Sequence, residues 1–358
     1  MSHKNYDFSN QVNTNNRVMT NLSQSINVVA ELTVAPGNIT ITPEGRIFLS
    51  LHQFYNPDFH VAELVNGSLV PFPGENKQGI TFEAVLGIHC DLNGCLWILD
   101  NGNQSQSVPK LVAWDLDKNQ LARVIYLPPP ITRSNSFVND LAVDLTRNVI
   151  YISDPISGTE SALIRVDLNT GLATGILQGH QSVIPENLDL IIDGVAVEIK
   201  QPDGSLIRPH LGVNGLVLDV NNEWLYFNPM HSTSMYRAKS ADLCNPDLSD
   251  EELASRVERY SDKPICDGIS IDQDNNLYVG DLAANGVGVI KPDRSYQLLI
   301  TDEKLSWVDS FSFGSDGYLY CNCNQLHRST PLHGGKNIAT PPYYIFRLEP
   351  LAPGIVGR

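Results

Sequence analysis

The chain has 358 residues, 40 of them acidic and 24 basic, for a formal charge of −16. Apolar residues make up 42%, enough for a buried core and too many for a disordered chain. The charge rules out ordinary nucleic-acid binding, which neutralises phosphates with Lys and Arg, and a basic membrane-surface role. Cations and polar small molecules remain as partners. No run reaches the ~18 apolar residues of a membrane-spanning helix. Residues 1–25 are polar, rich in Asn, Ser and Gln, without a basic stretch leading into an apolar one. No export signal is read there, so the cytoplasm is the default expectation.

Segment 26–34 (INVVAELTV) reads as a lone strand. After it one hairpin pattern recurs six times: GNITITPEGRIFLS from Gly37, GIHCDLNGCLWILD from Gly87, NDLAVDLTRNVIYISD from Asn139, NGLVLDVNNEWLYFN from Asn214, DGISIDQDNNLYVGD from Asp267 and DSFSFGSDGYLYCN from Asp309. Each has a polar or Gly start, an alternating strand, a Gly/Asn/Asp turn and an aromatic-rich strand. Most copies carry a second strand pair, as in LVAWDLDKNQLARVIYL. Four strands in each of six copies predict an all-β fold, a six-bladed β-propeller of antiparallel blades. Strand 26–34 is expected to complete the last blade beside 343–348. The propeller is read as one domain over 26–358, with insertions near 178–210 and 240–260. The first holds an extra hairpin; in the second, 249–257 reads as a short helix with a Ser cap and Glu three residues on.

Six cysteines show neither CxxC nor paired Cys/His spacing, which speaks against structural zinc. Cys90 and Cys95 flank a tight turn where a disulfide is conceivable; Cys321 and Cys323, two apart on one strand, are poor partners.

In such a blade, the start of the first strand and the end of the second lie at one face of the disc. Two rings of polar residues therefore gather at one mouth of the channel. The first holds Asn38, Asn139, Asp140, Asn214, Asp267 and Asp309; the second holds His52, Asp100, Asn101, Asp154, Asn228, His231 and Asp281. Oxygen-rich sets of this kind suit a hard cation such as calcium. The competing reading of Asp100, Asp154 and Asp281 is that they tie down loop N–H groups. His89, inside a first strand, is expected to face the channel, and Trp307 offers a surface for stacking on a planar ring.

The openings Asn139-Asp140, Asn214-Gly215-Leu216 and Asp267-Gly268-Ile269 resemble the metal-binding motifs of the gluconolactonase/senescence-marker-protein superfamily. That resemblance implies Asn139, Asn214 and Asp267 as ligands of a divalent cation. The superfamily's Glu ligand falls at Pro36, which has no side-chain ligand, so that either Asp309 supplies the acid or the site is empty. A closer resemblance covers roughly 60–350. The segments 82–102, 137–155 (FVNDLAVDLTRNVIYISDP), 225–233 (LYFNPMHST) and 307–319, with the closing PPYYIFRL, are similar to the yellow/major royal jelly protein family. This resemblance implies a propeller that binds small molecules such as biogenic amines, with some members linked to dopachrome conversion. Its animal members are secreted.

Three functions follow as alternatives. The first is a small-molecule-binding propeller with tautomerase-like isomerase activity, using Asp140, His231 and Asp267 as proton-transfer groups and Asn38, His52, His89, Asp100, Asp154, Asn228, Asp281 and Trp307 as ligand contacts. The second is a metal-dependent lactonase, its channel cation held by Asn139, Asn214, Asp267 and Asp309. The third is a non-enzymatic scaffold. The ligand is accordingly a cationic amine or a lactone. No GxSxG, P-loop, HExxH or GxGxxG motif occurs, so neither a covalent nucleophile nor a nucleotide site is expected.

Overall fold

The computed structural model describes residues 25–75 and 78–358, with the side chains of residues 104 and 105 left aside. The polar segment 1–24 lies outside the described residues. Alternating apolar strands joined by tight turns form six four-stranded antiparallel sheets arranged as the blades of a propeller. Blade 1 opens at Pro36–Ile41, blade 2 at Val85–Cys90, blade 3 at Leu141–Asp144, blade 4 at Val213–Leu218, blade 5 at Cys266–Ile271 and blade 6 at Val308–Phe313. Ile26–Leu32 pairs with Tyr343–Leu348 and completes blade 6, so the ring is closed by joining its two chain ends in one sheet.

Because strand side chains alternate, each blade buries one set of residues toward each neighbour. Ile150 and Ile152 pack on Leu99 and Leu111 of blade 2, whereas Tyr151 between them packs on Leu216 and Phe227 of blade 4. The same alternation keeps Cys90 and Cys95 apart. Cys90 faces the core between blades 1 and 2, and Cys95 faces the core between blades 2 and 3. Both are free thiols, and the disulfide conceived across this turn is not formed.

Two features of the inner strands set the geometry at the mouth. In blades 1, 2, 4, 5 and 6 the register with the second strand shifts at the start of the first. Such a bulge re-aims the side chains at the strand's end. Glycines then let neighbouring starts touch. A Cβ on Gly215 would lie 2.5 Å from the Asp267 carbonyl, and one on Gly268 would lie 2.2 Å from that of Asp309.

The insertions differ in their roles. Residues 178–210 form two short hairpins, Ile191–Ile192 with Val195–Ala196 and Ile199–Lys200 with Leu206–Ile207, where the sequence suggested one. Asp250–Ser255 is the expected helix, and Ser249 and Glu252 form its capping box. Among the described residues no helix is long and apolar enough to cross a membrane. At the far face the closing segment bridges to Asp272 and Phe313 and ends beneath the channel. There Arg358 donates to the carbonyls of Leu218 and Asp219 and to Asn222.

Gly268→Ala is expected to cost roughly 1–3 kcal/mol by overpacking backbone against backbone. Urea unfolding checks this, and an unchanged midpoint would show that the contact is not tight.

Candidate functional site

The mouth is built on the starts of four inner strands. Asn139 Nδ2 donates to Asn214 Oδ1, and Asn214 Nδ2 donates to Asp267 Oδ1, forming a chain across blades 3, 4 and 5. Asp267 Oδ2 accepts from Trp307 Nε1 at 2.7 Å. Trp307 stands just before the first strand of blade 6 with φ of 61°, a left-handed conformation unusual for a bulky residue. It is 1% exposed and stacks on His327 at 6.0 Å and 13°. Next along the ring, Asn324 Nδ2 donates to Asp309 Oδ2 and to the Pro36 carbonyl. Asn324 thus stands at the Pro36 position, where the resembled motif would have Glu.

Asn139, Asn214, Asp267, Trp307 and Asp309 floor a cavity of about 160 Å³. Phe54, Phe137 and Met230 contribute apolar wall, and the first insertion adds Leu190, Val197 and Ile199 as a lid. The mouth is therefore acidic at its floor but mainly apolar above, unlike the polar vestibule that the sequence suggested. No Lys or Arg lines it among the described residues.

That absence governs the ionisation. Burial pushes Asp267 up to about 7, and the charge of Asp140 adds to the effect, while Trp307 and Asn214 oppose it through hydrogen bonds. Asp309 is raised well above the usual carboxylate range by burial and by Asp267. Asp309 is half-buried and lines the cavity. Burial lowers His52 and His231 to about 3, so both rings are neutral at ordinary pH. His231 Nδ1 accepts from Leu211 N at 3.0 Å, which leaves the proton on Nε2. Nε2 is buried without a partner among the described residues. His231 is therefore a hydrogen-bond donor rather than the proton-abstracting group read from the sequence. His52 likewise accepts Phe54 N on Nδ1, at 3.2 Å.

Several candidates lie elsewhere. Asp140, with Asn38 Nδ2 at 3.4 Å, faces the narrower channel below the cavity, and burial raises it to about 7. His89 does face the channel, but near its far end beside Arg358, and so does not join the mouth. Apart from His52 and His231, the second ring is occupied with its own loops. Asp100 accepts from Lys110 Nζ at 2.7 Å and from the N–H groups of Glu83, Ala84 and Gly102. Asn101 caps the following turn. Asp154 accepts from Ser136 and Phe137 N, and Asp281 from Tyr296 and Ala284 N. Asn228 binds Gly215 O and Cys266. None of these five lines the cavity. The sequence reading missed Asn324 and the lid. Asn324 lies one position past the blade 6 second strand Leu319–Cys323, the same place as His52 and Asn101 in blades 1 and 2, so the repeat itself carried the signal that could have found it.

The oxygen set is chemically suited to a hard cation, but it fits a resident metal poorly. Both Asp267 oxygens already accept hydrogen bonds, as do Asn214 Oδ1 and one Asp309 oxygen. Pro36 supplies no side-chain ligand, whereas calcium takes six to eight oxygens. Among the described residues no three His, Cys, Asp or Glu side chains are grouped to hold an ion.

The major royal jelly protein family model matches residues 83–329, most of the ring. The chain belongs to that family. No curated protein matches it in sequence. Among solved structures, a luciferin-regenerating enzyme is similar over 93% of this chain and 98% of its own, at 13% identity and a TM-score of 0.58. A gluconolactonase from Xanthomonas campestris matches over 91% and 89% (13% identity, TM-score 0.55). The calcium-binding protein regucalcin from Agrobacterium tumefaciens matches over 92% and 97% (11% identity, TM-score 0.54). At such identities the likeness establishes the propeller fold.

With its carboxyls raised, the ligand-free royal-jelly-family chain binds more protons folded than unfolded between the ordinary carboxyl pKa and about 7. Their contribution to stability is full in acid and is lost as pH rises through that window. Trp307→Phe removes a donor to the charged form and should extend the loss to higher pH. Thermal unfolding across pH checks this; an unshifted upper limit would show that the indole N–H does not tune Asp267.

Proposed function

We propose that the mouth cavity binds a small, largely apolar molecule carrying one positive charge, a single-ring aromatic amine being the best fit. The observation that carries this reading is the pair of desolvated carboxyls, Asp267 and Asp309, on the floor of an apolar cavity without Lys or Arg. A cavity of about 160 Å³ is on the scale of one benzene-sized ring, since an apolar void of ~150 Å³ holds benzene. An ammonium needs only a few acceptor lone pairs, and each carboxylate oxygen keeps one after its present hydrogen bond. His231 Nε2 offers a donor at the wall for an oxygen on the ligand.

Isomerisation is the finer form of this reading. A carboxyl near pH 7 has the proton affinity that general acid–base work requires. Asp267 would take a proton from carbon beside an electron-poor iminoquinone, and protonated Asp309 would donate its proton to the quinoid oxygen that receives the electron pair, so that the product is an isomer and nothing leaves. Asp140 is not in the cavity, and His231 would orient the substrate through Nε2–H. The lactonase alternative draws on the same Asn139, Asn214 and Asp267, and no step is derived through a metal because the donors are already engaged.

Titration calorimetry with phenethylamine, 2-phenylethanol and calcium tests the reading. The amine should bind at least roughly tenfold more tightly than the alcohol. Asp267→Asn and Asp309→Asn should each remove most of that difference. Affinity for the amine should fall as pH drops below about 7, because protonated Asp267 no longer attracts it. Equal binding of amine and alcohol would contradict the proposal, and calcium binding that displaces the amine would favour the hydrolase alternative. For the isomerase form, dopachrome turnover should be lost in Asp267→Asn and survive in Asp140→Asn.

A further inference from the structure

We propose a second binding site, for a small amphipathic carboxylate, on the outer side of the lid. A groove of about 340 Å³ runs between the hairpin Ile191–Ile192/Val195–Ala196 and the turn Leu326–Arg328. Its apolar wall comes from Ile192, Val195 and Ile338, and its other wall from His327, Arg328 and His333. Unlike the inner cavity, whose described lining has acids and no Lys or Arg, the groove carries one Arg beside one Asp.

Two of these groups are poorly satisfied by the protein. The Arg328 guanidinium is only loosely held, with Asp193 Oδ2 at 3.8 Å and Gln325 Oε1 at 3.5 Å, and its side chain is 34% exposed. Asp193 is meanwhile engaged on its other oxygen by Asn285 Nδ2 at 2.8 Å. His327 is 8% exposed, yet its Nδ1 has no hydrogen-bond partner among the described residues. A planar carboxylate matches the fork of Arg328, which can hold both oxygens. A short alkyl body would cover the exposed side chains of Val195 and Ile338. Asp193 is the one acid on the groove and competes for the same guanidinium.

The two sites are back to back. His327 stacks on Trp307, which donates to Asp267 in the inner cavity, and Val197 of the lid lines both spaces. Trp307 is therefore placed to report occupancy of the groove by its fluorescence.

The test uses the full chain titrated with hexanoate, and with hexanol as the uncharged control. Hexanoate should bind with a change in tryptophan emission and hexanol should bind at least roughly tenfold more weakly. Arg328→Gln should weaken hexanoate by a similar factor, with Arg328→Lys in between. Asp193→Asn should strengthen it several-fold, since the amide oxygen still accepts from Asn285 but no longer competes as an anion. That gain cannot arise from misfolding, so it remains decisive if the Arg328 variants are unstable. No hexanoate binding, equal binding of hexanol, or an affinity indifferent to Asp193→Asn would each overturn the proposal.

Discussion

The site depends on how tightly six strand starts converge at the mouth. Gly215 and Gly268 permit backbone to meet backbone there, and the bulges turn the flanking side chains inward. Carboxyls placed in that crowd lose water on most sides. Among the described residues no Lys or Arg lines the cavity to compensate, so Asp267 and Asp309 keep their protons to unusually high pH or attract a positive charge from outside. The indole of Trp307 and the amides of Asn214 and Asn324 moderate this cost without neutralising it. Elsewhere in the ring a similar carboxyl is treated differently. Asp100 is equally buried but has Lys110 and three backbone N–H groups, so its charge is accounted for locally.

The lid turns a shallow mouth into a cavity. Leu190, Ile192 and Val197 pack with Met230, Trp307 and Leu332 in one apolar cluster, which seats the first insertion over the channel. Its outer edge is held by polar contacts instead, among them Arg208 with Asp189 and Asp193 with Asn285. At the opposite face Arg358 and its neighbours sit under the channel. The inner cavity is thus approached from the lid side.

Much of the fold was legible because a propeller is written in local periodicity. The alternation in NVIYISD and the turn residues between strands need no knowledge of distant contacts, and the closing strand followed from an unpaired INVVAELTV. The site was legible only to the level of a ring. Asp267 and Asp281 both map to the same mouth, yet one floors the cavity and the other is tied to Tyr296 and Ala284. Asp267 lies within the bulge at the start of the inner strand, a one-residue shift that hydrophobic patterning does not encode, whereas Asp281 ends the second strand. His231 was rightly placed at the mouth, but its role turns on which nitrogen the Leu211 N–H occupies, a tertiary detail. The lid hairpins were visible as apolar residues in an insertion; that they fold back over the channel was not.

Family membership and the shared propeller leave the chemistry to the carboxyl pair. The most direct measurement is the carboxyl carbon NMR titration of Asp267 and Asp309, assigned by single Asn substitutions, with and without an aromatic amine. This account predicts that the ligand-free Asp267 titrates near 7, that Asp309 also titrates far above the ordinary carboxyl range, and that the amine moves both downward. Midpoints near those of exposed carboxyls, indifferent to the amine, would contradict it.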